Sequence, residues 1–208
     1  MITLYHAPQS RSTRIIGLLE ELGVPYTIRP VSIFRPMTGE GKGDAANPHP
    51  DKRVPAIEHD GQLLAESVAI VLYLGDAFAE RGLAPQPGDP RRGAYLTWLA
   101  WYAAEFEPAM FAAFAGELDA SPLKRRAYDA AIHRIEAALA KSPYLLGDAY
   151  SAADFLVASA LSFGRHAFPE SAAIDAYIER CTTRPAILRG QSLDEASGAQ
   201  GAGARLPA

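Results

Sequence analysis

The sequence predicts a mixed α/β unit followed by an all-helical unit. Strand-like and helix-like runs alternate over roughly the first 80 residues. A proline-dense stretch around Pro85, Pro87 and Pro90 then interrupts the chain. Beyond it the β-branched runs vanish, while apolar residues keep recurring at helical spacing.

Taken in order, Ile2–His6 is a short apolar run stopped by Ala7-Pro8, a strand and a break. Ile15, Leu18, Leu19 and Leu22 recur at i, i+3, i+4 and i+7, one face of a helix that Gly23 and Pro25 end. Tyr26–Ile33, β-branched and aromatic, predicts a second strand. Residues 34–50, rich in glycine and proline, predict mostly loop with a short irregular helix. Val54–Glu58 and Gln62–Ala65 flank His59-Asp60-Gly61 and predict a hairpin on a DG turn. Ser67–Phe78, apolar almost all round, predicts a buried helix. The order is β-α-β-α-β-β-α over residues 1–80, with residues 81–90 as linker.

Residues 91–118 then read as one long helix bent near Pro108. Tyr128, Ile132, Ile135 and Leu139 mark the apolar stripe of the next. Ser151-Ala152-Ala153-Asp154 has the form of a capping box, a structural device that satisfies orphan N–H groups as a helix starts. A last helix runs from Ser171 to Thr182, and the all-helical unit closes at residue 191. Residues 192–208, rich in Gly, Ala and Ser with few apolar anchors, predict a disordered tail.

Composition narrows the function classes. Hydrophobic residues make up 49% and charged residues 21% of 208, ordinary for a globular protein. A net charge of −4 with scattered Lys and Arg gives no nucleic-acid footprint. No apolar run is long enough for a membrane span. Met1–Tyr5 lacks the basic start of a secretory leader, so a cytoplasmic location is expected. The single cysteine, Cys181, excludes an internal disulfide or a CxxC pair and reads as a small buried hydrophobe.

"LYHAPQSRSTRIIGLLEELG" (Leu4–Gly23) sets two serines and two arginines at the mouth of the first helix. The residues themselves allow two readings, ordinary capping or an anion site. The same choice arises at Glu66-Ser67, where a helix begins just after the hairpin.

Three stretches together, that opening, "RVPAIEHDGQLLAESVAIVLYL" and "YSAADFLVASAL", resemble the glutathione S-transferase superfamily over roughly residues 1–190. The resemblance implies a thioredoxin-like N-terminal domain, a helical C-terminal domain and a homodimer. It implies glutathione as co-substrate, no metal, and a small hydrophobic electrophile as the second substrate. It also implies a cis peptide at Val54-Pro55 whose Val54 backbone groups meet the cysteinyl unit of glutathione. Glu66 and Ser67 would take the γ-glutamyl ammonium and carboxylate, and Arg53 the glycine carboxylate, with Lys42 or Lys52 assisting. The segment "NPHPDKRVP" is longer by two residues than the family's usual pattern, so the glycine-end contacts are open.

Serine-type members place the sulfur-facing hydroxyl four residues before an arginine of the first helix, a spacing that Ser10 and Arg14 match. Ser12 is the alternative, its simpler role being helix N-cap. Tyr5 sits too early for the tyrosine-type pattern. Tyr102 and Phe106, one α-helical turn apart, are candidate residues for an electrophile pocket, with Phe163 and His166 opposite. Conjugation, peroxidase and disulfide reductase chemistry would all use the same thiolate, and a non-catalytic binding module could keep the same fold.

Overall fold

A computed structural model describes residues 1–203, with side chains through residue 197. The chain forms two compact units: residues 1–73 together with the chain from Arg184 onward, and residues 74–183.

The first unit holds β1 (Ile2–His6), α1 (Arg11–Leu22), β2 (Tyr26–Pro30), β3 (Ala56–His59) and β4 (Gln62–Ala65). They form a four-stranded sheet in the order β2-β1-β3-β4. β1 and β2 are parallel, with α1 as the crossover that parallel strands require. β3 runs antiparallel to both β1 and β4. The β3–β4 turn places Asp60 and Gly61 at φ 49 and 78, the left-handed pair that a tight two-residue hairpin needs. Leu4, Ile15, Leu18, Leu19, Leu22 and Ile57 are all buried, so the periodic face of α1 is the sheet-covering face. Gly23 ends α1 in the left-handed region at φ 62, its N–H reaching the Leu19 and Glu20 carbonyls.

Between β2 and β3 the chain makes turns and a single Arg35–Glu40 bridge, so the short helix expected there is absent among the described residues. Gly39 and Gly41 adopt φ 73 and 77, which no right-handed helix accommodates.

The C-terminal segment differs more. The expected disorder from Ser192 is replaced by α8 (Pro185–Gly203), which packs on α1 within the same unit. Large apolar anchors are unnecessary because two glycines meet: a Cβ on Gly190 would lie 2.9 Å from the Cα and N of Gly17. Ion pairs Arg184–Glu21 (2.6 Å) and Arg189–Glu20 (2.9 Å) flank that approach. Residues 204–208 of the expected tail lie outside the described residues.

The remaining α-helices are α2 (Ser67–Ala77), α3 (Arg92–Trp101), α4 (Glu107–Phe114), α5 (Pro122–Leu139), α6 (Ala152–Phe163) and α7 (Ala172–Thr182). Within the expected linker Leu83 and Ala84 are buried, and the Leu83 carbonyl accepts from Ala152 N–H at 2.8 Å. The expected single helix over 91–118 is α3 and α4 joined by a π turn, Tyr102–Phe106, which ends two residues before Pro108. Proline cannot donate to the preceding turn, and the wider π turn absorbs that loss. No helix among the described residues is long and apolar enough to cross a membrane.

Candidate functional site

The loop from Ala7 to Ser10 ends β1 and opens α1. Ser10 is the N-cap of α1, its Oγ accepting from Ser12 N–H at 3.1 Å. Thr13 completes a capping box, its hydroxyl accepting from Ser10 N–H at 3.3 Å. The Ser10 hydroxyl donates to the Ala7 carbonyl at 2.6 Å and lies 2.8 Å from Ser12 Oγ. Arg35 braces the loop from outside, donating to the carbonyls of Pro8 (2.7 Å) and Gln9 (3.2 Å). The capping role expected of Ser12 thus belongs to Ser10. Ser12 is fully buried, with His6 Nδ1 at 2.8 Å, so its hydroxyl meets no solvent-borne ligand in this arrangement.

Two further groups stand behind these serines, and no sequence pattern pointed to either. His6, on β1, is completely buried. Asp194, on α8, is 6% exposed and faces the same loop. Its carboxylate accepts from Thr13 Oγ1 at 2.5 Å and from Gln9 N–H at 3.2 Å. Its Oδ1 lies 3.3 Å from His6 Nε2, which has no aligned hydrogen-bond partner.

The second cluster centres on Val54-Pro55, which is cis and immediately precedes β3. Arg53 and Glu66, separated by the hairpin in sequence, meet at 3.3 Å, and Arg53 also pairs with Asp51 at 2.9 Å. Glu66 adopts φ 68, and its carbonyl accepts the Ile70 N–H, so the helix proper begins at Ser67 with its first N–H groups unused by the helix ladder. The arrangement gathers a guanidinium, a carboxylate and helix N–H groups at one rim.

The loop before Arg53 is built by two buried polar residues that sequence reasoning passed over. Asn47 donates to the Arg53 carbonyl at 2.9 Å and accepts from His49 N–H at 3.0 Å. His49 Nδ1 accepts from Asp51 N–H at 3.0 Å. Lys52, an expected helper at the glycine end, instead donates to the Asn47 carbonyl at 2.7 Å, so its ammonium is spent inside the loop.

Burial holds both His6 and His49 below the usual imidazole value of 6.5. Asp194 opposes the effect at His6, and Arg53 adds to it at His49. The unfolded chain therefore binds protons that the folded chain does not once the pH falls below 6.5. This contribution to stability is full above about pH 6.5 and is lost as the pH drops through the folded-state values. A fall in the thermal unfolding midpoint between about pH 7 and 5, before most carboxylates titrate, is the expected result. His49→Asn, whose amide oxygen can still accept from Asp51, should make that fall shallower.

The expected pocket residues are not open. Tyr102 and Phe106 are each 1% exposed within the second unit. Tyr102 donates to Glu107 at 2.9 Å, and Phe106 stacks on Trp101 and Phe168 at 5.4 and 5.8 Å. The two rings remain neighbours, with centroids 5.9 Å apart, and both face the interior of the unit. His166 stacks on Phe114, and Phe163 is exposed. Ser151 and Asp154 form the capping box that the sequence announces.

Two family models match the chain: the glutathione S-transferase N-terminal domain over residues 4–82 and the glutathione S-transferase C-terminal domain over residues 102–185. A fission-yeast (Schizosaccharomyces pombe) protein named glutathione S-transferase 3 is 30% identical over 54% of this chain, a match spanning 45% of that protein's own length. The crystal structure of a glutathione transferase from Methylococcus capsulatus superposes with TM-score 0.78 and 27% identity, covering 94% of this chain and all of that one. A sphingomonad glutathione S-transferase complexed with glutathione matches with TM-score 0.76 and 25% identity, covering 93% of this chain and 98% of that one.

Proposed function

The chain belongs to the glutathione S-transferase superfamily, and from that premise we propose that it binds glutathione and activates its sulfur, with Ser10 as the hydroxyl facing the thiolate. The carrying observation is the Ser10 hydrogen-bond set: its oxygen accepts from Ser12 N–H, while its proton goes to a nearby carbonyl and can be redirected.

A free thiol with pKa near 8.5 is about 3% ionised at pH 7. Lowering that value by about two units, roughly 2.7 kcal/mol, makes about three quarters of it thiolate. A hydroxyl donor at the N-terminus of α1, aided by the positive end of the helix dipole, favours the anion in this sense. Arg53, Glu66 and Ser67 would hold the charged ends of the tripeptide, and the Val54 backbone its middle. The Arg53–Glu66 pair is exposed, so exchanging it for ligand contacts costs little. The ionised sulfur then attacks a small apolar electrophile, a step that needs positioning and thiolate activation.

Glutathione conjugation of a chloronitroarene tests the reading. Ser10→Ala is expected to lower kcat/KM by about 10- to 100-fold, the loss of one charge-directed hydrogen bond. Because alanine also weakens the helix cap by about 1 kcal/mol whereas glycine keeps most of it, Ser10→Gly should show the same kinetic loss with less loss of stability. Unchanged turnover in both removes Ser10 from the mechanism. Parallel peroxide and disulfide assays show which acceptor the thiolate serves.

A further inference from the structure

Behind Ser10 the first unit buries a line of polar groups. Ser10 Oγ and Ser12 Oγ are 2.8 Å apart, Ser12 Oγ and His6 Nδ1 are 2.8 Å apart, and His6 Nε2 and Asp194 Oδ1 are 3.3 Å apart. His6 and Ser12 are wholly buried, and Asp194 nearly so. The Asp194 charge, 3.3 Å from Nε2 though not aligned as a hydrogen bond, favours the imidazole tautomer with hydrogen on Nε2, because a carboxylate attracts the N–H dipole and only accepts. Nδ1 is then an acceptor, and the contact at 2.8 Å is Ser12 donating to it. With the Ser12 proton so committed rather than given to the Ala7 carbonyl at 3.2 Å, the Ser12 oxygen, which also accepts from Ala7 N–H, can receive the Ser10 proton once that proton turns from the Ala7 carbonyl. The Ser10 oxygen can in turn receive one from a thiol. The chain has one direction, from the loop surface to a buried base.

Resting on the reading of Ser10 as the sulfur partner, we propose that His6, paired with Asp194, receives the glutathione proton through Ser10 and Ser12. The thiol proton moves to Ser10 Oγ as the Ser10 proton moves to Ser12 and the Ser12 proton to His6 Nδ1. The S–H bond breaks, its electron pair stays on sulfur, and one N–H bond forms. Each hydroxyl gains one proton and loses one. The product is a thiolate held by Ser10–OH and an imidazolium held by Asp194. All three hydrogen bonds then point toward the sulfur, each donor strengthening the next.

His6 is neutral in the resting protein because burial outweighs Asp194, the charge that bears on it among the described residues. Burial by itself makes it a weak base, and the arriving thiolate adds the negative charge that, with Asp194, offsets that burial and lets it take the proton. Asp194 also receives Thr13 and Gln9, so the same carboxylate that pairs with the base anchors the loop and, through the Thr13 hydroxyl, the Ser10 N–H. Asp194 and Ser12 are positioning residues in this scheme.

The test is nuclear magnetic resonance of the whole protein with ¹⁵N-labelled histidine, free, with glutathione and with S-methylglutathione, which has no sulfur proton to give. His6 should be neutral with hydrogen on Nε2 in the free and S-methylglutathione states, and doubly protonated with glutathione. A neutral His6 beside bound thiolate, seen by ultraviolet absorbance, overturns the relay. Ser12→Ala interrupts the chain and should lower the thiolate fraction of bound glutathione about three- to tenfold, with S-methylglutathione affinity changed less than about twofold. Should Ser10→Ala lower the thiolate while Ser12→Ala does not, the relay is wrong and the Ser10 reading stands. A thiolate unaffected by Ser10→Ala removes the Ser10 reading itself. The wild-type spectra need no variant to fold.

Discussion

Asp154→Ala is expected to cost about 3 kcal/mol or more of unfolding free energy, a large share of the 5–15 kcal/mol that holds a domain together. The carboxylate of Asp154 is fully buried. It accepts from Leu145 N–H at 2.7 Å, Ser151 N–H at 2.9 Å, Ser151 Oγ at 2.7 Å and Tyr177 OH at 3.1 Å. Burial pushes its carboxyl above the usual value, and these four donors counter that effect. Alanine leaves two backbone N–H groups without an acceptor in a site closed to water, each orphan costing about 1–3 kcal/mol. It also cuts the tie between the start of α6 and the Leu145 loop. Asp154→Asn keeps one acceptor oxygen and should lose roughly half as much. Urea unfolding followed by circular dichroism measures both. An alanine variant within 1 kcal/mol of wild type, a threshold set by the handicap of a single lost hydrogen bond, would show that the box is dispensable.

That box was legible because it is local: Ser151 and Asp154 are three residues apart and announce their bond in the sequence. The same holds for the DG hairpin and for the apolar face of α1, where turn chemistry and period act within one element. Ser10 and Val54-Pro55 were found through resemblance rather than period. What escaped was non-local or glycine-mediated. Asp194 lies 185 residues from Gln9, in a segment without an apolar stripe, and reaches the loop only because α8 can approach α1. Asn47 and His49 shape their loop through side chain to backbone bonds that leave no periodic trace. Tyr102 and Phe106 do share a face, their rings 5.9 Å apart, but spacing alone does not tell a buried aromatic face from an open one.

Gly190→Ala is expected to destabilise the first unit although alanine is the better helix former. Propensity alone would favour alanine by about 0.8–1.0 kcal/mol. Against that, the added Cβ would lie 2.9 Å from Gly17 Cα and from Gly17 N, and 3.4 Å from the Ile16 carbonyl carbon. All three are backbone atoms of α1, which cannot rotate aside as a side chain could, so α8 must move. Overpacking of this kind costs about 1–3 kcal/mol and wins over propensity. Gly190→Val, with two more methyl groups, should lose about 3 kcal/mol or more. Ser192→Ala, on an exposed stretch of α8 where the hydroxyl bonds back to the Leu188 carbonyl at 3.1 Å, serves as the propensity control and should stay within about 0.5 kcal/mol. Asp194 sits one helical turn beyond Gly190 and holds Thr13, Gln9 and His6 at 2.5 to 3.3 Å. A displacement of α8 large enough to relieve the clash exceeds what those contacts tolerate. Thermal stability, read by calorimetry, and the proposed conjugation activity should therefore fall together in Gly190→Val. Wild-type stability in that variant would mean that α8 does not rest on Gly17, and the route from Asp194 to the loop would lose its support.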